Sequence, residues 1–168
     1  YERAEVKDAI AYLQVIANPA DEISLRRILN RPRRGIGQTT LDRLAVHANQ
    51  MGWSLWEAID NAASSSLLAS AAGKVREFGT MIEDLRVEAA ETGPATLLER
   101  TLAASGYMDM LEAERTFEAQ GRIENLQELV GVAREYEERG QEEASLHAFL
   151  QEISLFSEQD KLEVERAD

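Results

Sequence analysis

Six arginines, Arg26, Arg27, Arg31, Arg33, Arg34 and Arg43, fall between positions 26 and 43, where the only acid is Asp42. The stretch "RRILNRPRRGIGQTTLDR" is therefore +5, whereas the other 150 residues hold 12 basic and 30 acidic side chains, a net of −18. The chain total of −13 conceals one positive island with a Gly-Ile-Gly inside it. These are the parts of an anion site. Glycine lets backbone amides approach a phosphate with no Cβ in the way. The unpaired N–H groups at the start of the next helix favour negative charge, and arginine adds charge-assisted hydrogen bonds. The candidate group is Gly35, Ile36 and Gly37 in the turn, Gln38, Thr39 and Thr40 opening the following helix, and Arg31, Arg33, Arg34 and Arg43 around them. Nothing in that set reads base edges, so the chemistry is phosphate-backbone binding without sequence preference. The acidic bulk repels nucleic acid elsewhere, which makes such binding weak and strongly salt-dependent.

Other chemistries find less support. A phosphate-binding P-loop needs a Gly-rich turn followed by Lys and Ser or Thr. Only "LASAAGKV" approaches it, and there Leu68 stands where the first glycine belongs and Val75 where the hydroxyl belongs. Gly73-Lys74 is read as an exposed helix position, and the chain by itself as lacking ATP hydrolysis and any catalytic residue. Carboxylate pairs such as Glu112 with Glu114, or Glu142 with Glu143, are what a chain with 31 acids contains by chance. His47 and His147 have no partner at metal-ligand spacing, and there is no cysteine, so no metal site is expected. Trp53 and Trp56 flank a helix start and read as core or rim anchors.

The elements that must position the island are all helical, because apolar residues recur at helical spacing almost throughout and strand-like alternation is nearly absent. The first helix runs from about Ala4 to Ala17, ended by Asn18-Pro19. A short second helix, "SLRRILN", is capped by Asp21 or Ser24 and stopped by Pro32. A third spans about Gln38 to Gln50 with Gly52 as terminator, and Ser54 caps a fourth. A stripe at Leu68, Ala71, Val75, Phe78, Ile82 and Leu85 predicts about six turns from Leu67 to Ala89. Pro94 opens the next helix. The segment "SGYMDMLEAERTFEAQGRIENLQELVGVAREYEE" carries an inward face at Ala119, Ile123, Leu126, Val130 and Ala133, and "LHAFLQEI" closes the series. No apolar run approaches the roughly 20 residues that cross a bilayer, so no membrane partner is expected. Both ends lie within helical or uncapped sequence, "YERAEVKDAI" and "DKLEVERAD", and are expected to continue into a larger protein.

Two long stretches extend the pattern beyond the glycines. "YERAEVKDAIAYLQVIANPADEISLRRILNRPRRGIGQTTLDRL" resembles the part of UvrD/PcrA/Rep-type superfamily 1 DNA helicases that leaves the second RecA-like core domain (2A) and enters the inserted 2B subdomain. "ASGYMDMLEAERTFEAQGRIENLQELVGVAREYE" resembles the later part of the same insertion. The resemblance implies an all-α, irregular multi-helix 2B-like domain with a helix-hairpin-helix-like GIG turn. Residues 1–18 would be a helix linking to the core domain, 19–156 the 2B-like subdomain, and 157–168 a segment leading back. It further implies a fragment of an ATP-dependent 3′ to 5′ DNA helicase of repair or replication, with ATP and Mg held by core domains outside this chain. The partners implied are double-stranded DNA at a single-strand/duplex junction, the core domains of the same chain, and repair proteins; the implied location is the bacterial cytoplasm, at the nucleoid. In such helicases the GIG turn, here Gly35 to Thr40, contacts duplex ahead of the junction. The competing expectation is a protein-interaction or autoregulatory module whose Glu-rich stretch, Arg134 to Glu143, docks a basic partner while the GIG turn is only structural.

Overall fold

The computed structural model describes residues 3–62, 69–140 and 145–155, and among these no strand occurs: the chain is an all-α domain. Its helices are α1 (Ala4–Ala17), α2 (Glu22–Ile28), α3 (Gln38–Met51), α4 (Leu55–Asp60), α5 (Ala72–Ala89), α6 (Pro94–Ala104), α7 (Tyr107–Glu114), α8 (Phe117–Gly140) and α9 (146–155). Residues 157–168, expected to lead out of the domain, lie outside the described residues.

α1 is the central helix. It packs on α2, α5, α6 and α8, and nine of its 14 residues are buried. A helix buried on several sides is apolar nearly all round, and Val6, Ala9, Ala11, Tyr12, Leu13, Val15 and Ile16 meet that requirement. The apolar side of α1 is thus covered by the rest of this domain. Burying each large aliphatic side chain stabilises by about 1.5–3 kcal/mol relative to leaving it in water.

Local sequence fixes most helix ends. Asn18, before Pro19, adopts extended backbone, and the Asp21 carboxylate accepts the Ser24 N–H at 3.1 Å to start α2. Gly52, at φ +70°, ends α3, and the Ser54 hydroxyl accepts the Glu57 N–H at 3.2 Å to start α4. The start of α6 is served differently. The Glu137 carboxylate reaches over from α8 to accept the Ala95 N–H at 2.7 Å, a cap from 42 residues away.

Two expectations require correction. α5 begins at Ala72, after a short 3-10 turn at Ala69–Ala71, and is 18 residues long, about five turns rather than six; Leu67 and Leu68 lie outside the described residues. The long inward face near the end belongs to α8 alone, with Leu129 fully inside and Val130 only half-buried. Ahead of it α7 is a separate helix. The chain breaks at Arg115, which takes a left-handed conformation at φ +53°, and the Thr116 hydroxyl caps α8 by accepting the Ala119 N–H at 3.0 Å.

The packing also encloses a polar centre. Asp8 of α1 is fully buried, and its carboxylate accepts Arg27 Nε at 2.8 Å, Arg31 Nε at 2.5 Å and the Tyr107 hydroxyl at 2.6 Å. One carboxylate therefore ties α1 to α2, to the chain after α2 and to α7. The Tyr12 hydroxyl donates to the Arg31 carbonyl at 2.5 Å and accepts from Arg34 Nη2 at 2.6 Å.

Burial and the Asp8 carboxylate hold the Tyr107 phenol well above the usual tyrosine range, and burial also raises that of Tyr12. A folded-state pKa above the unfolded value contributes stability that is complete below the unfolded pKa of about 10 and is lost as pH rises towards the folded one. The melting temperature of the chain should therefore fall as pH passes about 10. Replacing Tyr107 with Phe should lower stability at neutral pH but flatten that alkaline decline; an equally steep decline in Y107F would show that the phenol is not responsible.

Candidate nucleic-acid interface

The turn between α2 and α3 is built around Asn30. Its side-chain oxygen accepts the backbone N–H of Arg34 at 2.8 Å and of Ile36 at 3.1 Å. Ile36 points inward and is 2% exposed, so it pins the turn to the core. Gly35 has φ +78°, a conformation that L side chains rarely adopt. Gly37 is the N-cap of α3 and offers no side-chain acceptor.

Consequently the N–H groups of Gln38, Thr39 and Thr40 have no acceptor among the described residues, and the first intrahelical bond is Leu41 N–H to Gly37 O at 3.0 Å. Gln38 and Thr39 are exposed and Thr40 is half-buried. No acid lies in the first turn of α3. Asp42, one turn on, accepts from the Gln38 amide at 2.8 Å.

The arginines divide into two groups. Arg26 pairs weakly with Glu22 at 3.8 Å on the surface of α2, a contact of little energetic consequence. Arg27 and Arg31 are bound to Asp8, and that hydrogen bond strengthens the Arg31 guanidinium's hold on its proton. Arg34 turns inward. Its Nη1 donates to the carbonyls of Ile28 and Leu29, at 2.6 and 2.9 Å, closing the C-terminal end of α2, and its guanidinium lies 5.0 Å from the Phe78 ring centre. Arg33 and Arg43 are exposed and have neither hydrogen-bond nor ion-pair partner among the described residues.

The structure thus brings Arg33, Gly35, Gly37 and the amides of Gln38, Thr39 and Thr40 onto one accessible turn, with Arg43 farther along α3. Arg34 and Ile36 hold that turn in place from beneath, and the half-exposed Arg31 side chain ties it to Asp8. Sequence reasoning passed over Asp8, Tyr12 and Tyr107, whose partners stand 19 to 99 residues away. No local pattern announces contacts of that separation. Trp53 and Trp56 pack against the core as anchors, and the ring of His47 meets Trp53 edge-on at 5.5 Å. No group of acids and histidines able to hold a metal occurs among the described residues, nor any helix long and apolar enough to cross a membrane.

A family model described as UvrD-like helicase C-terminal domain matches residues 1–166. The chain belongs to that family. Among curated relatives, the ATP-dependent DNA helicase PcrA of Bacillus subtilis is 37% identical over 163 residues, which is 97% of this chain and 22% of that protein. The proteins of the same description from Staphylococcus epidermidis and Staphylococcus aureus are each 36% identical over 166 residues, 98% of this chain and 23% of theirs. The chain spans less than a quarter of the length of these relatives. This UvrD-like chain therefore matches a helicase C-terminal domain along nearly its whole length while corresponding to only a segment of the complete helicases.

Proposed function

We propose that this chain is the duplex-binding and regulatory module, equivalent to a 2B subdomain, of an ATP-dependent 3′ to 5′ DNA helicase of repair or replication. The reading is supported most directly by one observation. The α2–α3 turn carries a left-handed Gly35 and a Gly N-cap, so it presents uncapped amides beside an arginine, Arg33, that has no internal partner. Amides and guanidinium groups of this kind hold a phosphate diester whatever the base beside it. Inward-facing anchors on either side of Gly35, the buried Ile36 and the half-buried Arg34, give the turn one shape before any ligand arrives. ATP and Mg would be bound by core domains outside the chain, and this module would set where duplex sits relative to the junction those domains work on.

The reading predicts weak, sequence-independent binding of a labelled duplex, falling steeply with added salt. Each phosphate contact contributes a slope of about −0.9 in log affinity against log salt. Reversing charge at both Arg33 and Arg43 should lower affinity at least about tenfold at low salt and flatten that slope by about two. Unchanged binding by R33E/R43E would overturn the assignment. Residue-resolved NMR gives a second readout, since shifts at Gly35 to Thr40 support the duplex site. Silence there, with shifts along α8, would favour the protein-interaction alternative. Against that alternative, the Glu-rich end of α8 has internal work: Glu137 caps α6, Arg134 pairs with Glu99, and Arg139 meets Glu152 at 3.4 Å.

A further inference from the structure

Lys74 reads in sequence as an ordinary exposed residue near the start of a helix, and it is exposed. Its position is not ordinary. The first turn of α5 lies over the α2–α3 turn, so that a Cβ built on Gly35 would stand 2.5 Å from Lys74 Nζ and 2.8 Å from its Cδ. The ammonium group therefore lies across the backbone of Gly35, which has two reasons to be glycine: its left-handed φ and the lysine passing over it.

Lys74 has no carboxylate partner among the described residues, although Glu77 follows it on the next turn of α5 and the chain holds 31 acids. Its ammonium reaches a backbone turn rather than an acid. Arg33 next to the same turn is equally unpartnered. Thus one cation, Lys74 of α5, lies over Gly35, and a second, Arg33, stands two residues before it in the chain, neither with an ion-pair partner among the described residues.

We propose that Lys74 is a phosphate-contacting residue of the duplex interface, so that the DNA backbone is held between the α2–α3 turn and the first turn of α5. This rests on the duplex-binding reading above and adds a second element to it. Lysine suits the place, because a compact ammonium on a flexible stem neutralises a phosphate as a point charge without demanding one geometry. It also makes α5, which packs on α1 and α4, part of the surface that senses bound duplex.

The test is fluorescence anisotropy of the 168-residue chain with a fluorescein-labelled duplex of mixed sequence, over a series of salt concentrations. Lys74→Ala should weaken binding several-fold at low salt and reduce the salt slope by about one, and Arg33→Ala should do the same. The double variant should reduce the slope by about two, while Lys74→Arg should restore most of the affinity. A merely structural lysine would lower the melting temperature and leave the slope alone, so thermal melts of K74A and K74Q accompany the titration. If R33A loses a contact while K74A matches the wild type in both affinity and slope, the Lys74 proposal fails and the duplex site stands. If neither variant alters binding, or the wild-type chain does not bind duplex at low salt, both fail.

Discussion

Replacing Asp8 with alanine should destabilise the chain by about 3 kcal/mol, measured by urea unfolding at neutral pH. The carboxylate is fully buried and accepts three donors. Without it the Tyr107 hydroxyl loses its one acceptor among the described residues, and the guanidinium groups of Arg27 and Arg31 are left without their shared anion. Breaking a buried pair by deleting one partner costs about 3–5 kcal/mol when the remaining charge stays dry. Here the two arginine side chains are 40% and 52% exposed, so water rehydrates them in part, which places the loss at the lower end of that range. Asp8→Asn should fall between the two, because an amide keeps one acceptor oxygen but turns an NH2 towards donors. A loss below about 1 kcal/mol in D8A would mean that the cluster merely fills space.

Arg34→Ala should cost a similar amount, about 3 kcal/mol, and for a different reason. It removes the cation that satisfies the Ile28 and Leu29 carbonyls at the end of α2, the partner of the Tyr12 hydroxyl, and the contact over Phe78. Arg34→Lys should recover little, because one ammonium cannot reproduce a planar fork that serves two carbonyls and a hydroxyl and also lies over a ring. The same variant separates support from contact. Under conditions where R34A remains folded, its duplex affinity should fall with the disordering of the turn while its salt slope stays at the wild-type value. Arg33→Ala, by contrast, should lower the slope by about one. A lowered slope in R34A would place its guanidinium on a phosphate after all.

These expectations bear on how much of the site could be seen beforehand. Charge counting found the island and overestimated what it offers to a ligand. Of the six arginines between positions 26 and 43, Arg27 and Arg31 are tied to the buried Asp8, Arg34 turns inward to the end of α2, and Arg26 pairs along its own helix. The feature that looked like a surplus of positive charge is in large part the counter-charge of Asp8 together with a cap for α2. In the other direction, Lys74 was dismissed because a failed P-loop pattern was the only reason to consider it. Its proximity to Gly35 spans 39 positions, and nothing in the intervening sequence encodes it.

What the sequence determined alone is everything that depends on neighbours within a turn or two. Helical periodicity gave the all-α class, Pro19, Gly52, Ser54 and Pro94 set helix boundaries, and the Gly35 to Thr40 pattern marked a turn with free amides at its exit. Each is a local steric or hydrogen-bonding constraint that the residue types carry with them. Only the tertiary structure decided which cations face solvent, because a guanidinium goes wherever an acceptor is brought to it. Those acceptors, the Asp8 carboxylate, the α2 carbonyls and the Tyr12 hydroxyl, take their places when α1, α2, α5 and α7 pack together.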